Sequence, residues 1–319
     1  MNLAVGSSPH IRSNNSTRHI MRDVCLALLP ALVFGIAHFG MRALLITLIS
    51  VGTALVAELL ANRLIFKGDR DLDGSAVVTG LLLAMTLPAS VPYRIAALGS
   101  AFAILVVKAM CGGLGQNVFN PALAARALLV LLFPVHMVRF YAVNGFFGGA
   151  DTVTAATPLH HMAMLELPQE SLMDAFLGNV PGSIGEVSAL ALLLGGAYLV
   201  YRKVISLRIP VAYIGTVAIL TLIFYRTGNP GYWMLYSILS GGVMLGAIFM
   251  ATDYATSPVT PKGQIVYGIG CGALTVLFRY FGLFPEGVTY AILLMNAAAW
   301  LIDRYTAPVV YGTKKGGAA

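Results

Sequence analysis

The sequence predicts an all-α membrane protein: about ten transmembrane helices in two inverted five-helix repeats, with broken or half helices inside them. Three observations carry this. Of the 319 residues, 58% are apolar and only 10% are charged. A soluble domain keeps about 25% charged residues to face water. Long apolar stretches alternate with short polar loops. Finally, the basic residues are shared unequally between alternate loops.

The predicted spans are 23–40, 43–62, 75–88, 94–110, 121–140, 185–201, 209–225, 231–251, 263–281 and 287–302. About 20 helical residues cross the hydrocarbon core, so most of these suffice. Segment 75–88 does not, reaching about 21 Å. It opens after Asp73-Gly74 and closes at Pro88. Such a half-helix is tolerated only where it lines protein or a cavity. Before the first span, residues 1–22 are polar, with no cleavable signal evident.

Of the 20 basic residues, Arg42, Arg94, Arg139, Arg226 and Arg279 fall on one side and Arg126 within a span. The remaining 14 fall on the other side. The positive-inside rule then places both termini in the cytoplasm and the basic-free loop 142–184, with Asp151, Glu166, Glu170 and Asp174, on the outer face. The net charge of +7 therefore reports topology, and no nucleic-acid partner is expected. The chain divides into a cytoplasmic segment 1–22, a first repeat 23–141, the outer loop 142–184, a second repeat 185–303 and a tail 304–319. Five spans per half force the halves into opposite orientations. GLLLAMT from Gly80 to Thr86 matches GAIFMAT from Gly246 to Thr252 in pattern, each followed by proline.

Cys25, Cys111 and Cys271 form no CxxC pair. They read as small apolar packers, or as a ligand to an iron–sulfur centre shared with a partner. No metal site is expected within the chain.

Three stretches are too polar or too patterned for lipid-facing helix. Asp151 to Leu159 reads DTVTAATPL. Small side chains surround its hydroxyls, and Pro158 biases Thr157 away from helical backbone. An ordinary threonine-rich turn would look the same. The second stretch, GGLGQNVFNP from Gly112 to Pro121, combines glycines that admit a flat ligand with two amides three residues apart, Asn117 and Asn120. Asn120 ahead of Pro121 also reads as a helix N-cap. In the third, Asp253 closes the segment around Phe249, as Asp73 opens the first half-helix. Each carboxylate is either a solvated loop group or a cation contact. Arg126, a charge inside an apolar span, needs a partner, whether a side chain or an anionic ligand.

Together these stretches resemble one family, the B subunit of the sodium-pumping NADH:quinone oxidoreductase and the D subunit of the Rnf electron-transport complex. The likeness runs from about Asp23 to Asp303. The family's flavinylation pattern is Asp, two variable residues, Ser or Thr, Ala or Gly, Ala or Ser, then Thr. Asp151, Thr154, Ala155, Ala156 and Thr157 fill it. The resemblance implies FMN esterified through its phosphate to Thr157, installed from FAD by a flavin transferase. It implies a non-covalent riboflavin contacted by Asn117 and Asn120, and an ion path near Asp73, Phe249 and Asp253. The short segment before the first span favours the Rnf side, since the quinone-reducing relative usually carries an extension there that helps to build its quinone site.

The implied function is a flavoprotein subunit of the bacterial inner membrane. It would relay electrons between an outer-face FMN subunit and a cytoplasmic NADH/flavin subunit, coupling ferredoxin:NAD oxidoreduction to Na+ or H+ translocation. Other Rnf subunits and membrane lipid are its implied partners, and it would not be active alone. The alternatives are a flavin-free solute channel of the urea-channel type, whose fold this one is expected to resemble, and a structural anchor subunit.

Overall fold

The computed structural model describes residues 16–67, 73–143, 150–168, 170–282 and 286–308. Most of residues 1–22 and of the tail 304–319 lie outside these.

Helix stands at each of the ten predicted segments. The first half holds α1 (Thr17–Phe39), α2 (Met41–Leu64), α3 (Ser75–Thr86), α4 (Tyr93–Phe102, continuing as π-helix through Ala103–Ala109) and α5 (Pro121–Leu132). After a turn of helix α6 (Pro134–Met137) comes an antiparallel hairpin of β1 (Phe140–Val143) and β2 (Ala150–Ala155), the one sheet among the described residues and a departure from the all-helical reading. Short helices α7 (Pro158–Ala163) and α8 (Leu172–Leu177) complete the loop. The second half holds α9 (Ala189–Tyr201), α10 (Arg208–Ile223), α11 (Pro230–Leu239), α12 (Val243–Leu245, continuing as π-helix through Gly246–Met250), α13 (Pro261–Phe281) and α14 (Val288–Thr306).

Among the described residues α1, α2 and α13 are long and apolar enough to cross a bilayer alone, and α11 with α12 qualifies as a pair bent by 61°. The helices α3, α5, α9 and α10 are apolar but shorter. Three expected spans are corrected. Segment 121–140 ends as helix at Leu132, because Pro134 has no N–H to continue the ladder and crowds the preceding turn. Segment 185–201 begins its helix only at Ala189, capped by the Ser188 hydroxyl. Just before it a turn at 183–186 lies beside the end of α3, with Ile184 N–H donating to Leu87 O at 3.1 Å and Gly185 N–H to Met85 O at 2.8 Å. Segment 231–251 is broken at 240–242, where Gly241 takes a left-handed φ of +69°. Segment 75–88 is short as expected: α3 has 12 residues, starts after left-handed Gly74 and stops before Pro88.

Helices in lipid gain little from the hydrophobic effect and associate by close packing of small residues. A Cβ on Gly195 of α9 would lie 2.1 Å from Ala27 O of α1. One on Gly80 of α3 would lie 2.9 Å from Val51 Cα of α2, and one on Gly272 of α13 would lie 2.8 Å from Tyr213 O of α10. Buried hydroxyls join the same layers. Ser50 of α2 meets Ser100 of α4 at 2.6 Å, and Tyr213 of α10 meets Thr275 of α13 at 2.7 Å. Asp23 of α1 is tied to Arg202 at 3.1 Å and Tyr198 at 3.2 Å, fastening the first helix of each half together.

Candidate functional site

Two cavities lie along α5. The first, about 330 Å³, is lined by Arg126 and Val130 of α5, Met137, Arg139 and Phe140, the 155–157 segment with His160, and Glu286 and Tyr290 at the start of α14. That volume is at the lower edge of ordinary small-molecule sites, about 300–1,000 Å³. The hairpin delivers the motif to it: Phe140 pairs with Ala155, and the chain leaves β2 directly into Ala156 and Thr157. Thr157 is extended, at φ −76° and ψ 155°, as expected for a residue before proline. Its Oγ1 accepts the His160 N–H at 3.2 Å and so caps α7, leaving the half-buried oxygen at the cavity wall. Ala155 and Ala156 line the same wall. The side chains of Asp151 and Thr154 lie outside the described residues.

The cavity is rich in charge. Arg126 is buried, with Nη1 2.9 Å from Glu186 Oε1 and Nη2 on Glu286. Its predicted need for a partner is met by two carboxylates. Burial raises the Glu286 carboxyl, to about 7, against the pull of Arg126 and with a further push from Glu186. Arg139 is exposed at the rim and has no ion-pair or side-chain hydrogen-bond partner among the described residues. A free guanidinium beside an accessible hydroxyl suits a phosphate group.

The second cavity, about 80 Å³, collects Asn117, Asn120, Phe249 and Asp253, with Met21, Ser75, Thr79 and Lys108. Asn117 and Asn120, expected at a flavin, and Phe249 and Asp253, expected on an ion path, therefore share one space, contributed by both halves. The two asparagines differ. Asn120 is an N-cap, accepting from Ala122 N at 3.0 Å and Leu123 N at 3.3 Å, while its Nδ2 donates to Met250 O at 3.3 Å. Asn117 Nδ2 donates to Phe119 O at 3.1 Å, but its buried Oδ1 has no partner. An unpaired buried acceptor calls for a ligand donor, so the open Oδ1 fits a ring N–H. The volume is below what a flavin ring needs, so occupancy requires the lining to part. Asp253 accepts from Ala255 N at 3.4 Å and Thr256 Oγ1 at 3.2 Å, and burial raises its carboxyl.

Asp73 does not reach this cavity. It accepts the Ser75 N–H at 2.9 Å, fixing the start of α3, and lines an adjacent space of about 50 Å³ with Glu58 and Lys108. Lys108 separates the two, bonded to Glu58 and at 2.5 Å to Ser75 Oγ, with Asp73 Oδ1 at 3.8 Å. Glu58, Lys108, Glu186 and Glu286 were not singled out by the sequence reading. A charge inside or beside an apolar span was the signal available for each.

Helices that pack through glycines and buried hydroxyls, apolar enough to span, with polar cavities at the two ends of α5, define an integral membrane protein with an internal charged site. Residues 4–312 match the family described as NQR2, RnfD, RnfE, and the chain belongs to that family. It is 49% identical over 318 residues to the D subunit of the Na(+)-translocating ferredoxin:NAD(+) oxidoreductase complex of Acetobacterium woodii, covering 99% of this chain and 97% of that one. It is 46% identical to the D subunit of the proton-translocating ferredoxin:NAD(+) oxidoreductase complex of Clostridium ljungdahlii, covering 98% and 97%. The D subunit of the ion-translocating oxidoreductase complex of Stutzerimonas stutzeri is 39% identical, with 95% and 94% covered.

Proposed function

We propose that this chain is the D-type membrane subunit of an ion-translocating ferredoxin:NAD+ oxidoreductase complex of the bacterial inner membrane, carrying FMN as a phosphoester on Thr157. The observation that carries the reading is the presentation of the Thr157 hydroxyl at the wall of a cavity with a free guanidinium, Arg139, at its rim. A flavin transferase would join Thr157 Oγ1 to the FMN phosphorus of FAD. The FAD phosphoanhydride breaks, AMP leaves, and the hydroxyl proton is released. When bound, FMN supplies one- and two-electron transfer. The chain's own part is to hold it: Thr157 anchors, Arg139 screens the phosphate, and Arg126 with Glu286 sets the charge on the wall.

Riboflavin is proposed at the second cavity on the unpaired Asn117 Oδ1, and the ion path past Phe249 and Asp253. The cavities follow one another along α5, the second at its N-cap Asn120 and the first reaching Val130, residues about 15 Å apart by helical rise. In this reading two redox groups stand in series between an outer-face FMN subunit and a cytoplasmic NADH/flavin subunit. Ten spans in two inverted repeats, both termini cytoplasmic and loop 142–184 outside are part of the same reading. The matching hydroxyl pairs Ser50–Ser100 and Tyr213–Thr275, each joining the second and fourth helices of a half, support it. The names of the relatives differ in the ion, so Na+ or H+ is decided by measurement.

The test is fluorescence of the denatured chain in a gel, after co-expression with a flavin transferase. A fluorescent band that is lost in Thr157→Ala is expected. A dark wild-type band, with a control protein flavinylated in the same cells, overturns the proposal and favours a flavin-free solute channel.

A further inference from the structure

Arg126 faces two ways. Its Nη2 edge meets Glu286 on the wall of the Thr157 cavity. Its Nη1 edge holds Glu186 at 2.9 Å, a carboxylate that is buried and does not line that cavity. Glu186 is placed by the turn at 183–186 beside the end of α3, its N–H bonded to Ser183 O at 3.2 Å. The Glu186 carboxylate lies against the backbone of Gly242, so closely that a Cβ there would be 2.6 Å from Oε1. Gly242 ends the break between α11 and α12.

The other side of the break is also held by charge. Arg279 of α13 donates from Nη1 to Ser237 O at 2.5 Å and from Nη2 to Ser240 O at 2.9 Å. These are carbonyls at the C-terminal end of α11, where a cation is favoured, while an anion is favoured where the next helix begins. Arg279 and Glu186 thus bracket the bend with opposite charges. Of the two, Glu186 is the one directly bonded to a residue of the Thr157 cavity.

We propose that Arg126 and Glu186 are positioning residues that tie the charge of the Thr157 cavity to the geometry of the 240–242 break. One guanidinium is shared by two carboxylates. Added negative charge in the cavity draws Arg126 toward the Glu286 side and weakens its hold on Glu186. In a low-dielectric interior such a competition is strong, and a carboxylate left alone there is costly. Glu186 then shifts against Gly242, and the start of α12, which leads to Phe249 in the second cavity, shifts with it. The inference rests on the proposed flavin at Thr157, the source of the changing charge.

The test uses the assembled complex, comparing hydrogen–deuterium exchange of a peptide covering 237–246 in air-oxidised and dithionite-reduced samples. Wild type is expected to show a redox-dependent difference in exchange. Glu186→Gln is expected to keep the fluorescent Thr157 band and lose that difference, and Thr157→Ala is expected to lose both. A difference that persists in fluorescent Glu186→Gln, or its absence from fluorescent, reduced wild type, overturns the proposal. If Glu186→Gln does not assemble, Thr157→Ala decides: a difference that persists there arises elsewhere and refutes the link, whereas its loss upholds the cavity as the origin. A dark wild-type band is a separate failure, that of the flavin reading, and removes this proposal with it.

Discussion

At the scale of single residues, the buried polar atoms separate by whether they are satisfied. Asn120 and Asn117 look alike in sequence, yet one is consumed by capping and the other leaves an acceptor open. The expected result of Asn117→Leu is loss of non-covalent flavin from acid-extracted complex while the covalent band stays bright. Undiminished extractable flavin would remove Asn117 from the site. Glu286 gives a pH effect whose sign follows from burial. Its carboxyl is raised in the folded chain, from an ordinary 4.5 to about 7. Between those values the folded state keeps a proton that the unfolded state has released, so this group's contribution to stability falls as pH rises through that window. The melting temperature in detergent should therefore decline less from pH 5 to pH 8 in Glu286→Gln than in wild type. Equal slopes would show that Glu286 does not titrate there. The extended backbone of Thr157 was legible because it follows from its neighbour Pro158. Glu186 and Glu286 were not, because their meaning comes from Arg126, which lies 60 and 160 positions away in sequence.

Elements were read well where apolar length alone decides and less well where local backbone chemistry intervenes. α1, α2 and α13 follow from long, predominantly apolar runs. The stop at Leu132 follows from Pro134, and the break at 240–242 from Gly241, both visible in sequence but submerged in a 20-residue apolar window. Glycine also marks contact. Gly195 lets α9 approach α1 so closely that a methyl group would clash with Ala27 O at 2.1 Å. Gly195→Ala is therefore expected to destabilise by about 1–3 kcal/mol through overpacking. Gly52 of α2 has nothing within 4 Å of an added Cβ. Gly52→Ala should be neutral or gain up to about 1 kcal/mol from helix propensity. Thermal unfolding in one detergent compares the two. A Gly195→Ala protein as stable as Gly52→Ala would mean that α1 and α9 are not in register as described.

At the scale of the molecule, topology joins the chemistry to the membrane. Of the 20 Lys and Arg residues, none falls in 142–184, and the positive-inside rule counts basic residues in short loops. In the proposed arrangement five spans precede that loop and five follow it, so a single orientation would fix every connection. The proposed arrangement makes opposite demands on two exposed sites. Glu166, in the loop that carries Thr157, must face outward, while Lys262, at the start of α13, must face the cytoplasm. In a variant with Cys25, Cys111 and Cys271 replaced by Ala, Glu166→Cys should react in intact cells with a maleimide that cannot cross the membrane. Lys262→Cys should react only after permeabilisation. Reversed labelling would put Thr157 on the cytoplasmic face and the cavity bearing Asp253 on the outer face. Labelling of both sites in intact cells would mean that the number of crossings between them is even, and the five-plus-five arrangement would fail even though every helix stood where it is described.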